Sequence, residues 1–570
     1  MGSELGITPD SKPQADYSPV SIWWACWAAV WTFAVALGMA YLIVHRDMPT
    51  LRIRGLGLSL SAVVLLHLYW GCVQFGTMIG AIMPGDAQYW VMGIYLPWGI
   101  SLFHASNSRF LHVAKHQKQY AHHDSRQLEA VPNAPAKGGG LINRFRRLEY
   151  TKKILVILGI VIPIQLFITI LMWLISRKWH SSWGIPGTEV HGTPMEQATE
   201  MGRGWEWWPS VAGQLFWSWV VAPIVLWKSR HIHDTQGWRV QTIGCAIASL
   251  PATPMWLIGL YVDGMQKVNQ YWIPPQWICL SIIFIEIFTV FLPCWEVMRS
   301  KTLRKETLDA IAQWEEKKAS SPEGRSLGSI STMVDSMMSG WKSTNGSVET
   351  STSNRESILT MGALEHVLAR NPGPLQKFSA LNDFSGENVA FLTSVAEWKS
   401  SFPKGCSDPT AAQDENCRTL IRERFNRALR IYARFISVRH AEFPVNISSQ
   451  DLRKLESIFD QAASTLYTVE GEGEVDPATP FENPGSYPMK SPLSPAFPDS
   501  AKHPTTSSES LISDRVQYWG DVPEDFGPNV FDNAEESIKY LVLTNTWPKF
   551  VRNRRGSTDS SDTARNGDAV

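Results

Sequence analysis

Seven apolar runs, each near the length a helix needs to cross a bilayer, fill the first half of the chain and leave it few folds. They fall at about 22–44, 57–82, 89–105, 154–175, 209–227, 240–261 and 276–297. A helix rises about 1.5 Å per residue, so about 20 apolar residues match the hydrocarbon thickness. In that medium every backbone N–H and C=O must be satisfied within its own segment, which favours a helix for each run. The expected fold is all-α. A polar extracellular arm spans 1–21, a seven-helix transmembrane bundle spans 22–298, and the rest is polar, with a helical domain within it.

Loop charge sets the expected orientation. Lys and Arg number 20 in 45–56, 105–153, 228–239 and 298–306, against 5 in 1–21, 83–88, 176–208 and 262–275. Basic loops stay cytoplasmic, so the N-terminus is expected outside and the C-terminal half in the cytosol. The first 20 residues are polar, and no cleavable leader is expected. The seven cysteines (26, 72, 245, 279, 294, 406 and 417) show no metal-like spacing. Most of them read as small buried hydrophobes, without a structural disulfide. No metal site is expected, and the His122-His123 pair reads as part of a basic loop facing anionic lipid. Trp205, Trp207 and Trp208 read as an interfacial belt. A net charge of −1 points to no nucleic-acid partner.

Two ionisable residues interrupt the runs. Glu286 falls mid-way along the seventh and His67 inside the second, with Gln74 nearby. Such groups are costly in hydrocarbon and face the bundle interior. Both are therefore candidates for a ligand or switch site, although nothing in the sequence fixes whether they meet. Pro97 is expected to kink the third run, and Pro251 with Pro254 the sixth.

Residues 299–356 read as a charged juxtamembrane helix followed by a Ser- and Thr-rich linker. Residues 357–468 plus 528–555 read as a helical domain, interrupted over 469–527 by an acidic, Pro- and Ser-rich insertion expected to be disordered. Thr479, Ser491 and Ser494 each precede Pro there, and a disordered tail is expected over 556–570. The domain is organised around FSALNDFSGENVAFL at 378–392. Ser385 can cap a helix beginning at Gly386, and Glu387 suits its first turn. Val389, Leu392, Val395 and Ala396 give that helix a buried stripe. Phe378, Leu381 and Phe384 precede the cap and can pack on the stripe, while Asn388 is expected to be accessible.

Together with VNIS at 445–448 and PNVFDNAEESIKYLVLTNTWPKFVRN at the end, this stretch resembles an RGS domain, the GTPase-activating module for heterotrimeric G-protein α subunits. The family's signature, an S-x-E-N followed by an apolar helix, is matched by Phe384, Ser385, Glu387, Asn388, Val389 and Phe391. The whole architecture is similar to the seven-transmembrane RGS proteins of plants and the hybrid receptor-RGS proteins of filamentous fungi. Rhodopsin-like marks are missing: the third run ends LFHASNSRF and the seventh reads FLPCWEV.

The resemblance implies a domain that grips the Gα switch segments in their transition-state shape, with no catalytic residue or cofactor of its own. It carries over Ser385, Glu387, Asn388, Asn446, Leu541, Asn545 and Lys549 as Gα-contacting residues, with Asn446 nearest the catalytic Gln of Gα. Asn545 stands where Asp is usual and Lys549 where Arg is usual, and that pair cannot reproduce bidentate geometry. The expected function is a multi-pass plasma-membrane negative regulator of G-protein signalling. It would not itself be an enzyme, and an external small molecule sensed by the helices would control it. Two alternatives stay open: a receptor that itself activates G proteins, and a transporter or scaffold with a non-catalytic RGS-like domain.

Overall fold

Apolar helices and a separate helical domain account for the described residues, which form no strand beyond an isolated bridge between Ser176 and Ile185. The computed structural model describes residues 14–121, 150–320 except 181, 358–401, 415–467 and 518–554, with 145, 148 and 334. The expectations for His122-His123, the linker, the Pro-directed sites Thr479, Ser491 and Ser494, and the tail lie outside these residues.

Among the described residues, six helices are long and apolar enough to cross a membrane. They are α1 (Pro19–Val44), α3 (Leu56–Gln74), α5 (Tyr150–Ile175), α6 (Trp205–Ser229), α7 (Trp238–Tyr261) and α8 (Gln276–Gln313). A short α2 (Pro49–Arg54) and a 33-residue α4 (Gly85–Gln117) complete the bundle. The third apolar run lies in α4, where Asp86, Gln88, Ser101, His104 and Asn107 dilute its hydropathy. On α5, Leu155, Ile160, Ile164 and Phe167 each expose more than half of their surface. An apolar face of that extent suits hydrocarbon rather than water.

The bundle interior is close-packed around Leu66, Tyr69, Trp70, Leu96, Trp256 and Ile282. A side chain at Gly99 would meet Leu66 at 2.7 Å, so glycine there allows α3 and α4 to approach. Pro97 sits inside an unbroken α4. It has no N–H to give the carbonyl of Gly93; the Thr169 hydroxyl of α5 lies 3.3 Å from that carbonyl and shares its one proton with its own Gln165 carbonyl at 2.9 Å. The sixth run does break, between Ser249 and Ala252, at Pro251. Trp207 departs from the interfacial reading: it is buried against Tyr89, and its indole N–H donates to the carbonyl of Met201.

The C-terminal domain is built from α9 (Met361–Arg370), α10 (Gly373–Phe378), α11 (Gly386–Ser400), α12 (Glu415–Ile431), α13 (Ser449–Tyr467) and α14 (Asp532–Leu541). Their apolar stripes meet in one core that includes Phe391, Trp398, Phe425, Tyr432, Phe459 and Trp547. Residues 518–527, read from sequence as the end of the insertion, belong to the fold. Phe526 lies on Phe425 at 5.1 Å, and Tyr518 exchanges hydrogen bonds with Asn426. Their aromatic content supplies core surface that the polar sequence around them hides. Helix α8 continues as Leu292–Ser320, and its Ala310 and Ile311 pack on the domain core.

Candidate functional site

The chain leaves α10 through a π turn, Ser379–Asp383, and reaches Phe384 at φ +50°. A left-handed conformation costs a residue with a Cβ about 1–2 kcal/mol. It also re-aims the ring. Phe384 does not pack on the α11 stripe; it is buried among Phe110, Val113 and Ala114 of α4 and Trp238 of α7. The C-terminal domain is thereby seated on the end of the bundle.

Asp383, one residue earlier, is fully buried and organises the polar part of this junction. Its carboxylate accepts from Lys549 at 2.8 Å, Thr546 at 2.8 Å, Ser385 at 2.9 Å and Thr235 of the α6–α7 loop at 2.9 Å. Its backbone carbonyl accepts from the side chain of Gln236. The Ser385 hydroxyl is thus committed to Asp383 and makes no cap bond, contrary to its sequence reading. Lys549 likewise pairs with Asp383.

The capping role passes to the bundle. Gln117, the last residue of α4, accepts from the Gly386 N–H at 3.0 Å and donates to the Glu387 carboxylate at 2.8 Å. Glycine is needed at 386, because a Cβ there would lie 2.8 Å from that of Tyr120. Asn388 is buried rather than accessible, and its Oδ1 has no partner among the described residues. Asn446 is exposed but engaged, its Oδ1 accepting from Arg52 of α2 at 2.9 Å. Leu541 packs on the domain core, and Asn545 lies in the π turn Val542–Thr546, against which the α8 continuation runs. Sequence reasoning missed Asp383, Gln117, Arg52, Thr235 and Gln236. Only Asp383, inside the organising stretch, had a local signal.

A second polar centre lies within the bundle. Glu286 is fully buried and meets His67 Nδ1 at 2.8 Å, while its other oxygen accepts from the Trp31 indole. His67 Nε2 lies 2.9 Å from the Thr32 hydroxyl. The structure therefore brings together the two ionisable residues that the sequence singled out. Gln74 and Gln276, further along the same two helices, exchange amide hydrogen bonds at 3.1 Å.

Burial at the junction pushes the Glu387 carboxyl up to about 7 from 4.5; Asp383 acts in the same direction, and Gln117 and Arg52 oppose it. Undocking would hydrate this group and return it toward its ordinary value. The docked form then holds the proton more tightly. Its advantage is complete below the ordinary carboxylate range and is lost as pH rises through about 7. At about 1.4 kcal/mol per unit the contribution is at most about 3 kcal/mol. A donor–acceptor dye pair across the junction should report tighter docking at pH 5 than at pH 8. Glu387→Gln should flatten the part of the profile due to this group. An unchanged pH profile in the variant would rule out Glu387 as its source.

No family profile, curated protein or solved structure matches this chain.

Proposed function

We propose that the chain is a membrane-anchored regulator of G-protein signalling, in which the C-terminal domain accelerates GTP hydrolysis on a Gα subunit. The observation that supports it is convergence. Ser385 and Glu387, neighbours at the start of α11, meet Lys549 from the distant last segment around Asp383 and Gln117. Asn446 joins the same face through Arg52, which bonds it and whose charge acts on Glu387. These are residues that the RGS resemblance assigns to one Gα-gripping surface.

That face is turned toward the bundle, so the arrangement is a closed form that must open before Gα can be gripped. In this reading the excess of Lys and Arg in one set of loops supports a cytosolic closing side and an outside N-terminus. Helix α4 completes a seven-span bundle in this reading. The Glu286–His67 centre is where an external small molecule would bias opening, since buried ionisable groups in a bundle are the usual seats of ligands and switches.

The test is single-turnover GTP hydrolysis by candidate Gα subunits. The full chain in lipid nanodiscs is compared with a 357–555 fragment that holds nearly all of the domain core. The fragment should accelerate hydrolysis and the full chain should do so less. Asn446→Ala and Asn388→Ala should abolish the fragment's effect. A folded fragment that accelerates none of several α subunits would sink the reading and favour a scaffold role.

A further inference from the structure

We propose that His112, His116 and Glu442 form a Zn²⁺ site that clasps the C-terminal domain to the bundle. His112 and His116 are one helical turn apart near the end of α4 and present their rings to one side, 4.3 Å between centroids. Glu442 comes from the loop between Ile436 and Ser449, four residues before Asn446. Its carboxylate lies 3.3 Å from His112 Nε2 and 2.8 Å from His116 Nδ1. One ligand atom from each of the three lies within 4.8 Å of the other two.

These distances suit the ion. Tetrahedral Zn²⁺ with bonds of about 2.0–2.1 Å holds its ligand atoms about 3.3 Å apart, so small side-chain adjustments suffice. Two imidazoles and one carboxylate are a borderline donor set that favours Zn²⁺ over Mg²⁺ or Ca²⁺, which take oxygen ligands. A His pair at i, i+4 on one helix face is a recurrent way to hold zinc. The His112 ring is held in place by Tyr150, stacked on it at 3.9 Å, whose hydroxyl is bonded to that of Ser108. The three side chains are 20–38% exposed, so water can take the fourth position.

The ligand set is complete only while the domain is docked. Zn²⁺ therefore binds the closed form better and favours it by the factor 1 + [Zn²⁺]/Kd. At a hundred times the dissociation constant this is about 100-fold. The inference stands apart from the Gα reading, because neither readout below uses GTP.

The full chain in nanodiscs would be stripped with chelator and titrated with Zn²⁺ against a chromophoric competitor. The dye-pair signal across the junction would be followed in parallel. One equivalent should bind, and docking should tighten with it. His116→Gln and Glu442→Gln alter partly exposed positions and should leave the fold intact. Each should weaken binding at least about 10-fold and remove the Zn²⁺ effect on docking. Because cysteines elsewhere can also take zinc, binding that survives unchanged in both variants overturns the proposal. So does a wild-type chain that binds no zinc, or binds it without any change in docking. The trio is then an ordinary ion-paired contact.

Discussion

Asp383→Ala is expected to destabilise the C-terminal domain by about 3–5 kcal/mol, the cost of removing one partner of a buried ion pair. The carboxylate is fully buried, and Lys549 beside it is 13% exposed. Its loss leaves a nearly buried ammonium without its counter-charge. Three hydroxyls, those of Ser385, Thr546 and Thr235, lose their acceptor with it. Chemical unfolding of the full chain, followed by tryptophan fluorescence, would measure the loss. Asp383→Asn keeps an acceptor and should cost less, while Lys549→Met placed on Asp383→Ala should recover part of it by removing the stranded charge. A loss below about 1 kcal/mol for Asp383→Ala would mean that water replaces the carboxylate and that the junction is looser than described.

Gln117→Ala should act on docking and leave each half folded. The side chain is fully buried and serves two groups at once, the Gly386 N–H and the Glu387 carboxylate. Truncation strands both in the closed form, at about 1–3 kcal/mol for each buried group left unpaired. In an open form water reaches both, so the penalty falls on the closed state alone. A shift of about 3 kcal/mol moves the docking equilibrium on the order of 100-fold. Slower Gly386 and Glu387 amide exchange in the wild type than in Gln117→Ala, with equal exchange in the α3 and α12 cores, is the expected pattern. Equal exchange at 386 and 387 in both proteins would show that Gln117 does not hold the junction.

The helices were legible because one solvent imposes one pattern. Hydrocarbon demands long apolar runs, and the domain core demands stripes at helical spacing such as Phe425, Leu429 and Tyr432. Glu286 and His67 were legible for a related reason: the cost of an ionisable group in that medium marks it wherever it falls. The junction was hidden because its side chains carry no periodicity. Gln117 and Arg52 are ordinary polar residues near helix ends, and their partners lie 270 and 394 positions away. Glu442 stands 326 residues from His116, so no spacing rule joins them. Phe384 went astray on a single dihedral, since the ring's direction depends on a left-handed turn that propensity disfavours. At Ser385 the cap preference was real, but a buried carboxylate two residues back was the stronger acceptor.

The junction makes the bundle an intramolecular ligand of the C-terminal domain. Tethered partners meet at effective concentrations that reach the millimolar range when the connection is short, and here α8 runs unbroken from the bundle to the domain core. A free protein seeking the surface of Glu387, Asn388 and Asn446 competes with that internal occupant. At micromolar abundance it would need an intrinsic affinity for the face about 1000-fold greater than that of the bundle merely to match it. Occupancy by an outside partner is therefore set less by that partner's abundance than by whatever loosens the chain's hold on itself.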